Sequence, residues 1–443
     1  MAICIVDKKD TRRQQKFKFL KMGCRRPVVA AFALSQMLLH TTASDDSRPI
    51  VQWFAPFLSG GGYCSEAISF AQAISDLNSP RFSLHVTQHG DSYNRKFVSA
   101  LPAETKAMLD AHWFTSPTAT PPSIAICHSE PGAWNPPRYQ TTLCPPEGTA
   151  YAIGRTMFET DRLPSGWAQR MEAMDEIWVP TLFSKKVFEA GGVPASKLVV
   201  VPEAVDVAFF DPSTVEAMAL PDVGDDTTVF LSIFKWEERK GWKTLLKAYF
   251  AAFTNADPVV LVLLTNAYHS TSDFNNLVAR YALDSLGRSL DALPRIHILP
   301  SDLPQTDLPS LYKAATAFVL PSRGEGWGRP HVEAMSMELP IIATFWSGST
   351  EFMTDANSYP LSIDGLVPIE TGAFKGHLWA DPSPTHLQEL LRRVIEHPAE
   401  AKKKGQQARQ DMITRFAPSV VGAIVVDAIA DVLESLEAGY DEL

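Results

Sequence analysis

Little in this 443-residue chain points to disulfide, zinc or nucleic-acid chemistry. Its five cysteines (Cys4, Cys24, Cys64, Cys127, Cys144) form no Cys-x-x-Cys pair, so neither a zinc site nor a disulfide framework is indicated. Positive charge is also scarce. Forty Lys and Arg stand against 50 Asp and Glu, and a formal net charge of −10 gives no support to nonspecific nucleic-acid binding. An anionic ligand therefore has to be held by local positive groups. No apolar run reaches the ~20 residues that span a bilayer. The run at 28–39 is broken by Ser35 and Gln36, and the one near Val420 by Asp427 and Asp431. No internal repeat is short enough to suggest a solenoid. Hydrophobic residues at 45% and charged residues at 20% are ordinary for a globular protein, and the length allows two domains with a core each.

Residues 1–48 stand apart. Nine basic residues from Lys8 to Arg26 precede the short apolar run, and Thr42-Ala43-Ser44 follows it. That order fits a signal peptide or signal anchor, and the scarcity of acid between 11 and 44 also suits an organelle transit peptide. A disordered basic tail is the plain alternative. Any membrane association is expected through this segment only. It tips the expected location toward the secretory pathway, with cytoplasmic or organellar placement open.

From Pro49 the pattern is regular. A strand at 50–54 ends at Pro56, Gly60-Gly61-Gly62 turns the chain, and a helix follows at 65–77. Strands are expected at 82–86, 123–127, 151–154, 176–179 and 197–201, with helices at 166–174 and 182–190. Prolines and Gly224-Asp225-Asp226 then mark a linker. The pattern restarts with strands at 228–234, 259–264, 296–299 and 317–320, and helices at 242–253 and 275–286. Continuous apolar runs alternating with helical spacing indicate parallel sheets covered on both faces. The expected fold is α/β, two doubly wound Rossmann-like domains facing across a cleft: 49–205 on the acceptor side, 206–415 on the nucleotide side, and a terminal helix from 416 to 443.

The richest segment is 320–343. An apolar strand stops at Pro321, a glycine-broken loop carries Glu325, a helix starting near Pro330 carries Glu333, and a strand opens after Pro340. Two carboxylates thus flank helix-tip N–H groups beyond a strand's carboxyl end, where open α/β sheets bind ligands. The pair Glu325 and Glu333, seven residues between them and Ala334-Met335 following, resembles the signature of the retaining GT-B glycosyltransferases of the group-1 (family-four) type. The resemblance covers nearly all of 50–428.

That resemblance implies a set of roles. Glu333 bonds the donor ribose, while Glu325, Gly326, Trp327 and Gly328 line the donor sugar. Lys235 and Lys240 contact the diphosphate and offset the leaving group's charge. A family arginine is replaced by lysine at 235, so point-charge neutralisation stands where a bidentate clamp would; Arg239 is an adjacent candidate. Gly61 and Gly62 approach the donor phosphate or the acceptor, and His128 faces the transferred sugar. Glu130, Trp134, Glu159 and Asp161 are acceptor-side candidates, and the base is expected near 300–303. No aspartate pair sits on a strand end, and the other histidines, such as His269 and His377, show no ligand spacing, so no metal and no cofactor are expected. The implied reaction moves a hexose from a nucleoside diphosphate sugar to a hydroxyl acceptor (glycan, lipid or small molecule) with retention. A catalytically silent nucleotide-sugar-binding subunit and a phosphorylase-like or epimerase reaction are the rivals.

Overall fold

The computed structural model describes residues 47–114, 121–221, 223, 224, 226–267 and 272–441. The leader at 1–46, Asp225 and His269 lie outside the described residues.

Two six-stranded sheets dominate, and every strand pair within them is parallel. The first contains β1 (Ile50–Ala55), β2 (Ser83–Gln88), β3 (Ile124–His128), β4 (Tyr151–Arg155), β5 (Glu176–Val179) and β6 (Leu198–Val200), in the order β2-β1-β3-β4-β5-β6. The second contains β7 (Thr228–Trp236), β8 (Val259–Ala267), β9 (Arg295–Leu299), β10 (Ala317–Leu320), β11 (Ile341–Thr344) and β12 (Tyr359–Leu361), ordered β12-β11-β10-β7-β8-β9. Both orders reverse beside the first strand of their sheet, the place where such sheets open a crevice at their carboxyl ends. Central strands are apolar throughout because helices cover both faces: β3, β10 and β11 are buried at every position.

Four helices position the site and its frame: α1 (Gly62–Leu77), α2 (Trp242–Ala252), α3 (Arg329–Ser336) and α4 (Pro418–Asp441). The first three begin just after glycine turns that follow β1, β7 and β10, so their N-termini point at the strand ends. Gly241 is needed before α2. Its φ is +66°, and a Cβ there would stand 1.9 Å from the Pro321 carbonyl oxygen.

The helix α4 returns to the first lobe, where Val421, Val425 and Ile429 are fully buried in one core with Val51, Phe70 and Ile74. Among the described residues one helical stretch, Pro398–Gly439, is long and apolar enough to cross a bilayer, and half of its most apolar window is buried. Its apolar stripe is thus used against protein, with each fully buried valine or isoleucine contributing about 1.5–3 kcal/mol.

Two features depart from what the sequence pattern indicates. Cys127, at the end of β3, is joined to Cys144 by a disulfide, both sulfurs buried, although the cysteine spacing signals none. Their separation matches no motif; the return loop through Pro131–Ala133 brings them together. An antiparallel hairpin, β13 (Ile363–Pro368) and β14 (Leu378–Pro382), also extends from the second lobe without a strong sequence signal.

Candidate functional site

A cavity of about 630 Å³ opens between the lobes at the carboxyl ends of both sheets. The charged part of its second-lobe wall is assembled from three chain segments. The end of β7 brings Lys235, the turn before α2 brings Arg239 and Lys240, and the loop into α3 brings Glu325, Gly326, Trp327, Gly328 and Arg329.

Glu325 is the electrostatic centre of this wall and is only 7% exposed. Lys240 donates to both of its carboxylate oxygens, at 2.7 and 2.8 Å, and Arg239 donates at 3.0 Å. Burial pushes the carboxyl up, but the two cations outweigh it and hold it at about 2. Burial and the adjacent Arg239 pull the Lys240 ammonium down, with Glu325 opposing them. Arg239 also pairs with Glu237 at 2.8 Å and, across the cleft, with Glu159 at 3.3 Å. The lobes touch closely here: a Cβ on Gly324 would stand 2.2 Å from the Glu159 carbonyl oxygen.

Glu333 does not line the cavity. It stands one turn into α3 behind Arg329 (3.9 Å), accepts a hydrogen bond from Tyr312 at 2.9 Å, and has its carboxyl pushed up by burial. Lys235 is exposed on the wall, and Trp327 is 2% exposed with its Nε1 lacking a hydrogen-bond partner. Ser301, in the region expected for the base, and Leu303 line the far end with Ile233, Leu264 and Leu308.

The first-lobe wall contains Gly62, Tyr63, Glu130, Met157, Phe158, Glu159, Trp167 and Glu203. Gly61 is the N-cap of α1, one residue back from this wall. Besides Glu333 and Gly61, three of the residues expected at the cleft stand elsewhere. His128 does not face the cleft; it is fully enclosed, with Trp53 donating to Nδ1 at 3.1 Å and Nε2 2.8 Å from Glu66. The Trp53 bond places the ring proton on Nε2, where it is donated to Glu66, and burial keeps the imidazole neutral. The reason is Arg155 at the end of β4. It binds Glu66 from the other side and draws that carboxylate, with its histidine, into the lobe. Trp134 is likewise core, packed over Gly154 so closely that a Cβ there would meet its ring at 2.4 Å. Asp161 is off the cavity wall; it accepts from the Leu378 N–H at 2.6 Å and so ties the first lobe to β14.

Glu203, Arg329 and Tyr63 join the site without having been expected there. Glu203 follows β6, is 2% exposed and faces Arg329 at 3.5 Å, yet neither its Oε2 nor the Arg329 Nη1 makes a hydrogen bond. Burial, with Glu66 nearby, pushes the Glu203 carboxyl up to about 8 against the pull of Arg329 and Arg155. Arg329 is visible in the 320–343 segment, between Gly328 and Pro330. Glu203 and Tyr63 carry no local signal, because the fold alone brings them to the cavity.

Residues 220–411 match the family model of the glycosyl transferases group 1. A D-inositol 3-phosphate glycosyltransferase of Kineococcus radiotolerans is 26% identical over 246 residues, 55% of this chain and 54% of that protein. The O-antigen chain mannosyltransferase B of Escherichia coli is 38% identical over 78 residues, 17% of this chain and 18% of that one. The chain thus spans about half the length of the first of these, and the E. coli match is a short segment. Among solved structures, a glycosyltransferase of Rickettsia africae superposes with a TM-score of 0.61 at 16% identity, covering 87% of this chain and 99% of that one. Anabaena HepE in complex with UDP and glucose gives 0.58 at 13% identity, covering 87% and 100%. The fold is the GT-B arrangement of these solved structures, and the match to the group 1 glycosyl transferase model lies in the second lobe.

Proposed function

We propose that this chain, whose second lobe matches the group 1 glycosyl transferases, moves a hexose from a nucleoside diphosphate sugar to a hydroxyl acceptor with retention of configuration. The carrying observation is the wall formed by Lys235, Arg239, Lys240 and Arg329 around Glu325, at the N-termini of α2 and α3. Those cations and helix-tip N–H groups suit a diphosphate leaving group, whose growing charge they would stabilise as the sugar departs. In this reading Glu325 and the backbone of Gly326 to Gly328 hold the sugar. Arg329 serves the ribose end, with Glu333 behind it, and the apolar stretch past Ser301 takes the base.

The departing phosphate is the base for the acceptor hydroxyl, approaching on the face it leaves, so no protein nucleophile is required. A closed cleft limits hydrolysis of the donor by water. The lysines supply the charge neutralisation, so turnover is proposed to need no metal ion.

The test is release of nucleoside diphosphate from UDP-glucose, GDP-mannose and related donors, with EDTA present and absent, and product anomers read by NMR. Transfer with retained configuration, insensitive to EDTA, is the expected result. Tight donor binding without turnover would instead favour a silent binding subunit, and an inverted product would remove the mechanism.

A further inference from the structure

The cavity's charge is divided by lobe. Its four cations, Lys235, Arg239, Lys240 and Arg329, all stand on the second lobe, and the first lobe contributes Glu130, Glu159 and Glu203 with no cation among the described residues of the wall. Arg239 matches Glu159 at 3.3 Å. Glu130 has no such partner on the wall. Tyr139 hydrogen-bonds it, and the cations that act on it, Arg138 and Arg170, both lie off the wall; Arg170 is held by the carbonyls of Pro131, Trp134 and Pro136.

Glu203 is buried at the cavity surface with an oxygen that accepts no hydrogen bond. The same cavity is lined by Phe158 and Trp167, 4% and 5% exposed, and by Phe374 from the tip of the hairpin, packed edge-on with ring centroids 4.9–5.1 Å apart.

The Glu203 carboxyl keeps its proton near neutral pH and can both donate and accept, whereas the Glu130 carboxylate accepts hydrogen bonds and donates none. Hydroxyl groups satisfy both, and a phosphate next to the Glu130 carboxylate is repelled. Aromatic edges suit the C–H face of a sugar ring. The wall's cations could accept a phosphate, but on the reading above they are committed to the donor.

We propose that the acceptor is an uncharged sugar ring, bound by its hydroxyls to Glu130 and Glu203 and by its apolar face to the Phe158, Trp167 and Phe374 cluster, and that acceptors with a phosphate on that ring are rejected. This rests on the glycosyltransferase reading and fixes the acceptor class within it.

The experiment uses the full chain with the donor that turns over best. Methyl α-glucoside and methyl α-mannoside are compared with their own 6-phosphates, and release of nucleoside diphosphate is measured with and without acceptor. The expected result is a kcat/KM at least ~100-fold higher for the neutral member of a pair, the scale on which like-charge juxtaposition rejects a partner. Glu130→Lys is expected to narrow that ratio to about 10-fold or less, by raising kcat/KM for the phosphate member.

Equal or better use of the phosphates, or an unchanged ratio in Glu130→Lys, overturns the proposal while leaving the donor reading intact. So does donor hydrolysis with transfer to neither member. A chain that neither binds nor hydrolyses any nucleotide sugar overturns the donor reading and this inference with it.

Discussion

Glu325 is held ionised inside the protein by two cations, and that arrangement fails if either is removed. Lys240→Ala leaves a buried carboxylate with Arg239 alone. A fall of ~10²–10³-fold in kcat/KM is expected in steady-state assay with the preferred donor, the usual scale for losing one group that stabilises developing charge. A change below about fivefold, on the same scale, would remove Lys240 from the site.

Glu203 presents the opposite case. Its folded pKa of about 8 lies above the ~4.3 of an unfolded glutamate. Between those values the folded state keeps a proton that the unfolded state has lost, so stability falls as pH rises through the window. Glu203→Gln, neutral at every pH, is expected to match the parent Tm near pH 4. Above pH 8 it should be more stable than the parent by an amount on the order of a few kcal/mol, seen as a higher Tm. A Tm difference independent of pH would contradict this. Glu325 is legible in the sequence because glycines and a tryptophan surround it at a strand end. Glu203 is not, because its burial is made by the meeting of two lobes distant in the chain. The position of His128 at a strand end suggests the cleft, but Arg155 and Glu66 draw it inward.

Among the elements, the strands and the first helices are readable because two-sided burial leaves unbroken apolar runs. The hairpin is not: residues of β13 alternate between half-buried and exposed, and contacts with both lobes hold it, Arg323 of the second lobe bonding Ala380 and Asp381. Asp161 binds Leu378, and Thr160 meets His377 at 2.8 Å. Two elements give direct tests. Gly241→Ala forces an unfavourable φ and a clash with the Pro321 carbonyl. A loss of about 3 kcal/mol or more is expected in denaturant unfolding. The bridge between Cys127 and Cys144 closes a loop with a sequence separation of 17. Reduction is expected to destabilise the first lobe by about 3 kcal/mol, seen as a lower Tm in dithiothreitol that the Cys144→Ser variant does not show.

For the whole molecule, the two-sheet plan is legible from alternating periods, but the seating of α4 against α1 depends on which apolar stripe faces which. Val425 is fully buried in the first lobe's core. Val425→Asp places a charge there without a partner and is expected to leave the chain largely insoluble, or with a first transition near ambient temperature by calorimetry.

The same seating has a consequence during synthesis. The residues that complete the core around Val51 and Phe70 include Val421, Val425 and Ile429, more than 200 positions after β6. At about 5–20 residues per second a ribosome needs on the order of 10–40 s to bridge that gap. Meanwhile the second lobe can finish around Phe416, so the half made first is sealed last. Its uncovered apolar groove is what a nascent-chain chaperone would have to shield.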